Sequence, residues 1–161
     1  MHHTAEFGNP TVMAWIIKKW KDEGVELDVN APNHEGYAPL FHCCLKGYLG
    51  AEAMSGKAPQ TKMQRLECCK LLYNEGADVN FQAAVTLMTP LHWAAYNDDV
   101  ATVQYLLTLP AIKIVPNADD VTPVDIAGHC NYEMIVYIFV KYLERKLYAE
   151  IAESRNKGMG A

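Results

Sequence analysis

Two things are scarce in this chain of 161 residues: basic charge and long hydrophobic runs. Lys and Arg number 14 against 19 Asp and Glu, a formal net charge of -5. The acidic pairs Asp98-Asp99 and Asp119-Asp120 deepen that shortage, so no cationic footprint for a phosphate backbone exists and nucleic acid is not an expected partner. The longest apolar stretch, Met134 to Phe139 with its neighbours, is far too short to span a bilayer, which excludes direct membrane insertion. Met1 to Pro10 has neither the basic start nor the apolar centre of a secretory signal. Cysteine occurs five times, as two adjacent pairs plus one, and makes no even secreted framework. An intracellular, cytoplasmic protein with reduced thiols is the simplest expectation. No Ser/His/Asp or Cys/His order with a plausible partner can be assembled, so the chain is not expected to be an enzyme, and no cofactor is expected.

What is present is ordinary globular material, half hydrophobic and one fifth charged, sized for one domain or one short solenoid. It is also periodic. The segment Thr89-Pro90-Leu91-His92-Trp93-Ala94-Ala95 has two weaker copies, Ala38-Pro39-Leu40-Phe41-His42-Cys43-Cys44 and Thr122-Pro123-Val124-Asp125-Ile126-Ala127-Gly128. Pro90 and Pro123 are 33 residues apart, while Pro39 and Pro90 are 51 apart, one period plus 18. A second landmark, Asp78-Val79-Asn80, echoes Asp28-Val29-Asn30 at a distance of 50. One insertion before Asn80, plus one residue between Asn80 and Pro90, brings both signals to a single period.

Thr before Pro can cap a helix whose first turn tolerates the missing proline N–H. Leu91, Ala94 and Ala95 share one face, small enough for neighbouring helices to approach closely. Gly76, in Glu75-Gly76-Ala77-Asp78, can end a helix in the left-handed region. Each unit is amphipathic yet too small to bury its own face, so units must stack.

These residues resemble the ankyrin-repeat family, whose unit is a turn and two helices over 33 residues with a Thr-Pro-Leu-His-x-Ala signature. The resemblance covers about residues 11 to 143. It implies an all-α solenoid of about three and a half units in one domain over 1–157. An N-terminal half unit is expected over 10–32, and a unit over 33–80 with an inter-helix insertion at 49–64. Units over 81–114 and 115–143 follow, then a helical extension over 144–157 and a loose tail at 158–161. In the half unit, a helix from Pro10 to Asp22 turns Val12, Met13, Ile16, Ile17 and Trp20 inward and leaves Trp15 outside. Its open side is covered either by a partner or by residues 1 to 9. The insertion reads as an exposed loop, either tolerated or functional.

His92 is expected to be structural, as the family uses it to bond backbone between units. Cys43, Cys44, Cys68 and Cys69 stand where small aliphatic residues belong. Adjacent helical positions point about 100° apart, so buried thiols are expected rather than a metal site. The turn before Thr89 is anomalous: Phe81 to Met88 is apolar, with Leu87 where a tip glycine belongs, and apolar surface on a projecting loop marks contact.

Family members of this kind bind proteins through the tips of the turns and the groove side of the first helices. The resemblance therefore places the partner-binding residues at His34, Glu35 and Tyr37; at Val85, Thr86, Leu87 and Met88; and at Ala118, Asp119, Asp120 and Val121. Groove positions are Leu45 and Lys46, Tyr96 and Asn97, His129 and Cys130. Tyr37, Tyr96 and Met88 are the expected anchors, and Lys46, Asp119 and Asp120 the expected steering charges. The implied function is a non-catalytic interaction module, an adaptor or inhibitor acting on a protein partner. Two other readings are a structural subunit contacting neighbours through its open ends, and a regulatory part of a larger enzyme or channel.

Overall fold

A computed structural model describes residues 1–6, 8–26, 28–45 and 62–158. Lys46 and most of the insertion expected at 49–64 lie outside the described residues, as do residues 159–161. Among the described residues there are eight helices and no strands. They are α1 (His2–Glu6), α2 (Pro10–Asp22), α3 (Pro39–Cys44), α4 (Lys62–Asn74), α5 (Pro90–Tyr96), α6 (Val100–Thr108), α7 (Pro123–His129) and α8 (Glu133–Gly158).

The helices form two rows. The inner row runs α1, α3, α5, α7, each packed on the next, and the outer row runs α2, α4, α6, α8 in the same way. Between the rows lie the small residues that permit this approach. Ala94, Ala95 and Ala127 are fully buried, Cys43 and Cys44 nearly so, with Leu40 and Leu91 beside them and Leu72, Leu106, Ile135 and Phe139 opposite. The four thiols at 43, 44, 68 and 69 are core atoms, and burial pushes Cys43 well up and Cys68 up to about 12. Cys44 is raised chiefly by its hydrogen bond with Cys69, then by burial.

The chain starts differently from the half unit expected over 10–32. α1 precedes α2 and completes a helix pair, packing against α3 as an inner helix does. Buried Ala5 holds the register of Ala95, and His2 that of His92; without a Thr-Pro-Leu before them the motif was not visible in the sequence. Within α2, Met13 and Ile17 are buried and Ile16 and Trp20 half-buried, but Val12 is exposed, off the inward stripe where spacing placed it. Trp15 is 60% exposed, with Lys19 Nζ 5.3 Å above its ring.

Helix ends follow their local chemistry. Asn9 Oδ1 accepts from Val12 N, and Asp99 Oδ1 from Thr102 N, each relieving an unpaired first-turn donor. Asp98 and Asn131 sit at φ +50° and +57° at matching points between helices, a conformation short polar side chains tolerate. The Asp98-Asp99 pair thus supplies one left-handed residue and one cap. Gly76 ends α4 at φ +91°. The units are then tied by asparagine: Asn30 donates to Gly76 O and accepts from Asp78 N at 2.7 Å, while Asn80 donates to Ala111 O and accepts from Lys113 N. The phased Asp-Val-Asn endings are therefore joints between units.

Candidate binding surface

Between each outer helix and the next inner helix the chain makes a tight turn, called here finger two (31–38), finger three (81–89) and finger four (115–122). Fingers two and four are built alike. In finger two, Asn33 N donates to Tyr37 O at 2.9 Å, and Asn33 Oδ1 accepts from Glu35 N and Tyr37 N. In finger four, Asn117 N donates to Val121 O at 2.9 Å, and its Oδ1 accepts from Asp119 N and Val121 N. Each side chain thus satisfies two turn amides, the role for which asparagine favours turns. The left-handed position is Gly36 (φ +82°) in one and Asp120 (φ +60°) in the other.

A histidine from the preceding unit tethers both. His92 Nδ1 accepts from Thr89 N at 3.0 Å, which leaves its proton on Nε2, and Nε2 donates to Val121 O at 3.1 Å. His92 is fully buried, and burial lowers its pKa, opposed by the bond to Val121. His2 Nε2 makes the matching bond to Tyr37 O at 3.0 Å. In the last unit Asp125 keeps only the capping half of this device, accepting from Thr122 N and Oγ1, which holds its carboxyl below the usual range.

Finger three has neither support. Ala83 stands at the asparagine position, and Phe41 stands at the tethering position of the preceding unit. The turn is one residue longer, closing Ala83 N to Met88 O at 3.0 Å and Leu87 N to Ala83 O at 2.9 Å. Leu87 takes φ +52°, a region that disfavours a residue with Cβ. The finger is held by one of its own side chains and from its sides. Gln82 Nε2 donates to Leu87 O, Ala118 N donates to Thr86 O at 2.9 Å, and a Cβ on Gly36 would lie 3.1 Å from Ala84 Cβ. Its tip is apolar and open, with Val85 85% and Leu87 41% exposed.

Beneath the fingers, aromatic rings run across two units. Tyr37 stacks on Phe41 at 4.6 Å, Phe41 meets Trp93 edge-on at 6.1 Å, and Trp93 meets Tyr96 at 5.6 Å. Tyr96 is 46% exposed, and the Trp93 indole N–H is covered without a hydrogen-bond partner among the described residues. An open cleft of about 390 Å³ at the foot of the inner row is lined by Lys62, Tyr96, Asn97, Asp98, Cys130 and Tyr132.

The residues anticipated for binding fall into three groups. His34, Glu35, Val85, Leu87, Tyr96, Ala118, Asp119, Asp120 and His129 are exposed. Tyr37, Met88, Thr86, Val121, Leu45 and Cys130 are partly covered; Tyr37 lies against Phe41 rather than projecting. Asn97 is committed to the scaffold, donating to Cys44 O at 2.7 Å across units. Lys46 lies outside the described residues. Sequence reasoning overlooked Asn33 and Asn117, although both stand six residues before a motif proline. It also overlooked the aromatic row, because no spacing rule brings Tyr37, Phe41 and Trp93 together.

A family model for ankyrin repeats, three copies, matches residues 60–149. The chain belongs to the ankyrin-repeat family. Ankyrin repeats are protein-interaction modules, and protein partners follow from that membership. The packing of α1 to α3 extends the same architecture to the N-terminal side of the matched residues. Among curated proteins, Palmitoyltransferase AKR1 of Lachancea kluyveri is 31% identical over 101 residues, 62% of this chain and 14% of that protein. Alpha-latrotoxin-Lg1a of Latrodectus geometricus is 30% identical over 113 residues, 70% of this chain and 7% of that protein. This ankyrin chain thus spans a small fraction of the relatives it matches. No helix among the described residues is long and apolar enough to cross a membrane.

Proposed function

We propose that this ankyrin stack is a non-catalytic adaptor or inhibitor that binds a protein partner through its fingers and the exposed side of its inner helices. The observation that carries this reading is finger three. A leucine at φ +52° and a valine almost fully in water are both unfavourable for the isolated fold, and a contact surface is what such a tip supplies. The non-catalytic part rests on the histidine and thiols: both ring nitrogens of His92 are engaged with backbone, burial and neighbouring groups raise the pKa values of Cys43, Cys44 and Cys68, and Cys69 is packed in the core beside them. Five free thiols suit an intracellular, reducing setting. A stack of this kind needs little ordering on binding, which favours rigid-surface recognition.

A second reading has its own support. α8 runs to Gly158, and from Leu143 to Arg155 every residue is exposed, including Leu143, Leu147, Ile151 and Tyr148 at 72%. Such a helix suits a structural subunit that meets neighbours through its end. Crosslinking mass spectrometry on partners captured from native lysate separates the two, comparing wild type with Val85→Asp/Leu87→Asp. Crosslinks at the fingers that vanish in the variant, with the fold retained, support the module. Crosslinks confined to residues 10–22 or 133–157, unchanged in the variant, favour the structural subunit and overturn the finger reading.

A further inference from the structure

Charge is sorted between the two rows. The described parts of the inner row and fingers (1–6, 31–45, 81–98 and 115–131) contain no Lys or Arg. Apart from the Met1 ammonium, their fixed charges are carboxylates, among them Glu35 on finger two and Asp119 and Asp120 on finger four, all exposed. The described Lys and Arg residues are carried by α2, α4 and α8, and by Lys113 just before finger four. Lys62, at the start of α4, reaches the foot of the inner row, bonding Asp98 O at 2.6 Å, but that is the end away from the fingers. At the finger end the order is acid, apolar, acid. The contacts of Gly36 with Ala84 and of Thr86 O with Ala118 N make these three tips neighbours in space.

We infer that the partner presents an extended, cationic segment that crosses the fingers, with one bulky apolar side chain seated on Val85 and Leu87 and a basic side chain on each flank. This rests on the finger surface being the binding face, as proposed above. The register follows from geometry. Packed helices stand about 8–10 Å apart, so successive fingers repeat at about that distance. An extended segment of polyproline II type advances about 3.1 Å per residue and turns once in about three residues, so side chains about three positions apart share a face, and the two basic residues fall about three positions before and after the apolar one. Acidic segments are excluded by the same carboxylates, which gives selectivity by repulsion as well as attraction.

The test uses the full chain and fluorescein-labelled nine-residue peptides, read by fluorescence polarisation. One carries Leu at the centre with Arg three positions to either side; others replace both Arg by Glu, or Leu by Ser, or move the Arg to adjacent positions. The expected result is binding of the first, weakened about tenfold or more by each replacement, and weakening again between 50 and 200 mM salt. Glu35→Gln/Asp119→Asn/Asp120→Asn should lose about tenfold toward the Arg peptide and nothing toward its neutral counterpart. Urea unfolding of that variant confirms that it folds. Binding that is indifferent to peptide charge, yet lost in Val85→Asp/Leu87→Asp, overturns the cationic partner while the finger surface stands. Equal binding by the Glu peptide also overturns it. Peptide crosslinks to α2, α4 or α8 overturn both this inference and the binding face beneath it.

Discussion

Fingers two and four against finger three make an internal experiment in turn construction. The first and last are polar, closed by asparagine at their base, and pinned from the previous unit by His2 or His92. The middle one has alanine at its base, no histidine behind it, an extra residue, and a leucine where the left-handed residue belongs. Local scaffolding was given up at the same place where apolar surface was gained. A turn braced by its neighbours as well as by its own backbone can keep a tip that its own sequence would not favour. The contact surface proposed above coincides with the departure from the pattern, in a finger whose neighbours retain it.

The comparison can be broken first at Phe41, which stands where a tethering histidine would be and holds Tyr37 and Trp93 together instead. Phe41→Ala removes a fully buried ring and should destabilise the stack by about 3–5 kcal/mol in urea titration. A loss under 1 kcal/mol would show that the aromatic row is not what supports this side of finger three. Next in size, Asn33→Ala or Asn117→Ala should cost about 1–2 kcal/mol, since each leaves two turn amides without their acceptor. In the same variants, hydrogen exchange at the affected tip should rise toward the rate at Val85 to Leu87 in wild type. Equal rates at all three fingers before mutation would mean the scaffolding difference has no dynamic consequence.

Leu87→Gly sharpens the contrast, because stability and binding should move in opposite directions. Relief at φ +52° should stabilise the fold by about 1 kcal/mol, less the entropy glycine adds to the unfolded chain, while partner affinity falls about tenfold or more. The two buried histidines make a further distinction. Burial lowers the pKa of His92 and of His42, so the unfolded chain binds more protons below about pH 6.5. Stability should therefore fall as pH drops through that range and level off below the folded-state values. Urea midpoints at pH 7.5 and 5.5 should differ in that sense, and a pH-independent midpoint would contradict it. Smallest of all, Trp93→Phe should change stability by less than about 1 kcal/mol, since losing an indole N–H with no partner offsets the smaller ring.

Much of the fold was visible in the chain as written. Thr89-Pro90-Leu91-His92 and its copies fixed the phase, Gly76 marked a helix end, and buried Ala94, Ala95, Cys43 and Cys44 follow from small residues on one helical face. Leu87 was recognisable as out of place because its counterparts are Gly36 and Asp120. The first helix escaped notice because α1 is five residues long and carries only His2 and Ala5 of the motif.

Sequence alone determined what depends on residue type and spacing: an all-helical ankyrin stack, the positions of its turns, the anomaly of finger three and the general shortage of basic charge. Those properties are local or periodic, and a period can be counted. Only the tertiary structure decided which side chains meet across units. It paired His2 with Tyr37 and His92 with Val121, tied Asn97 to Cys44 instead of leaving it free, folded Tyr37 onto Phe41, and stood Val85 in solvent. The reason is that stacking brings together residues a whole repeat apart, and no rule of local spacing specifies which atoms then face one another.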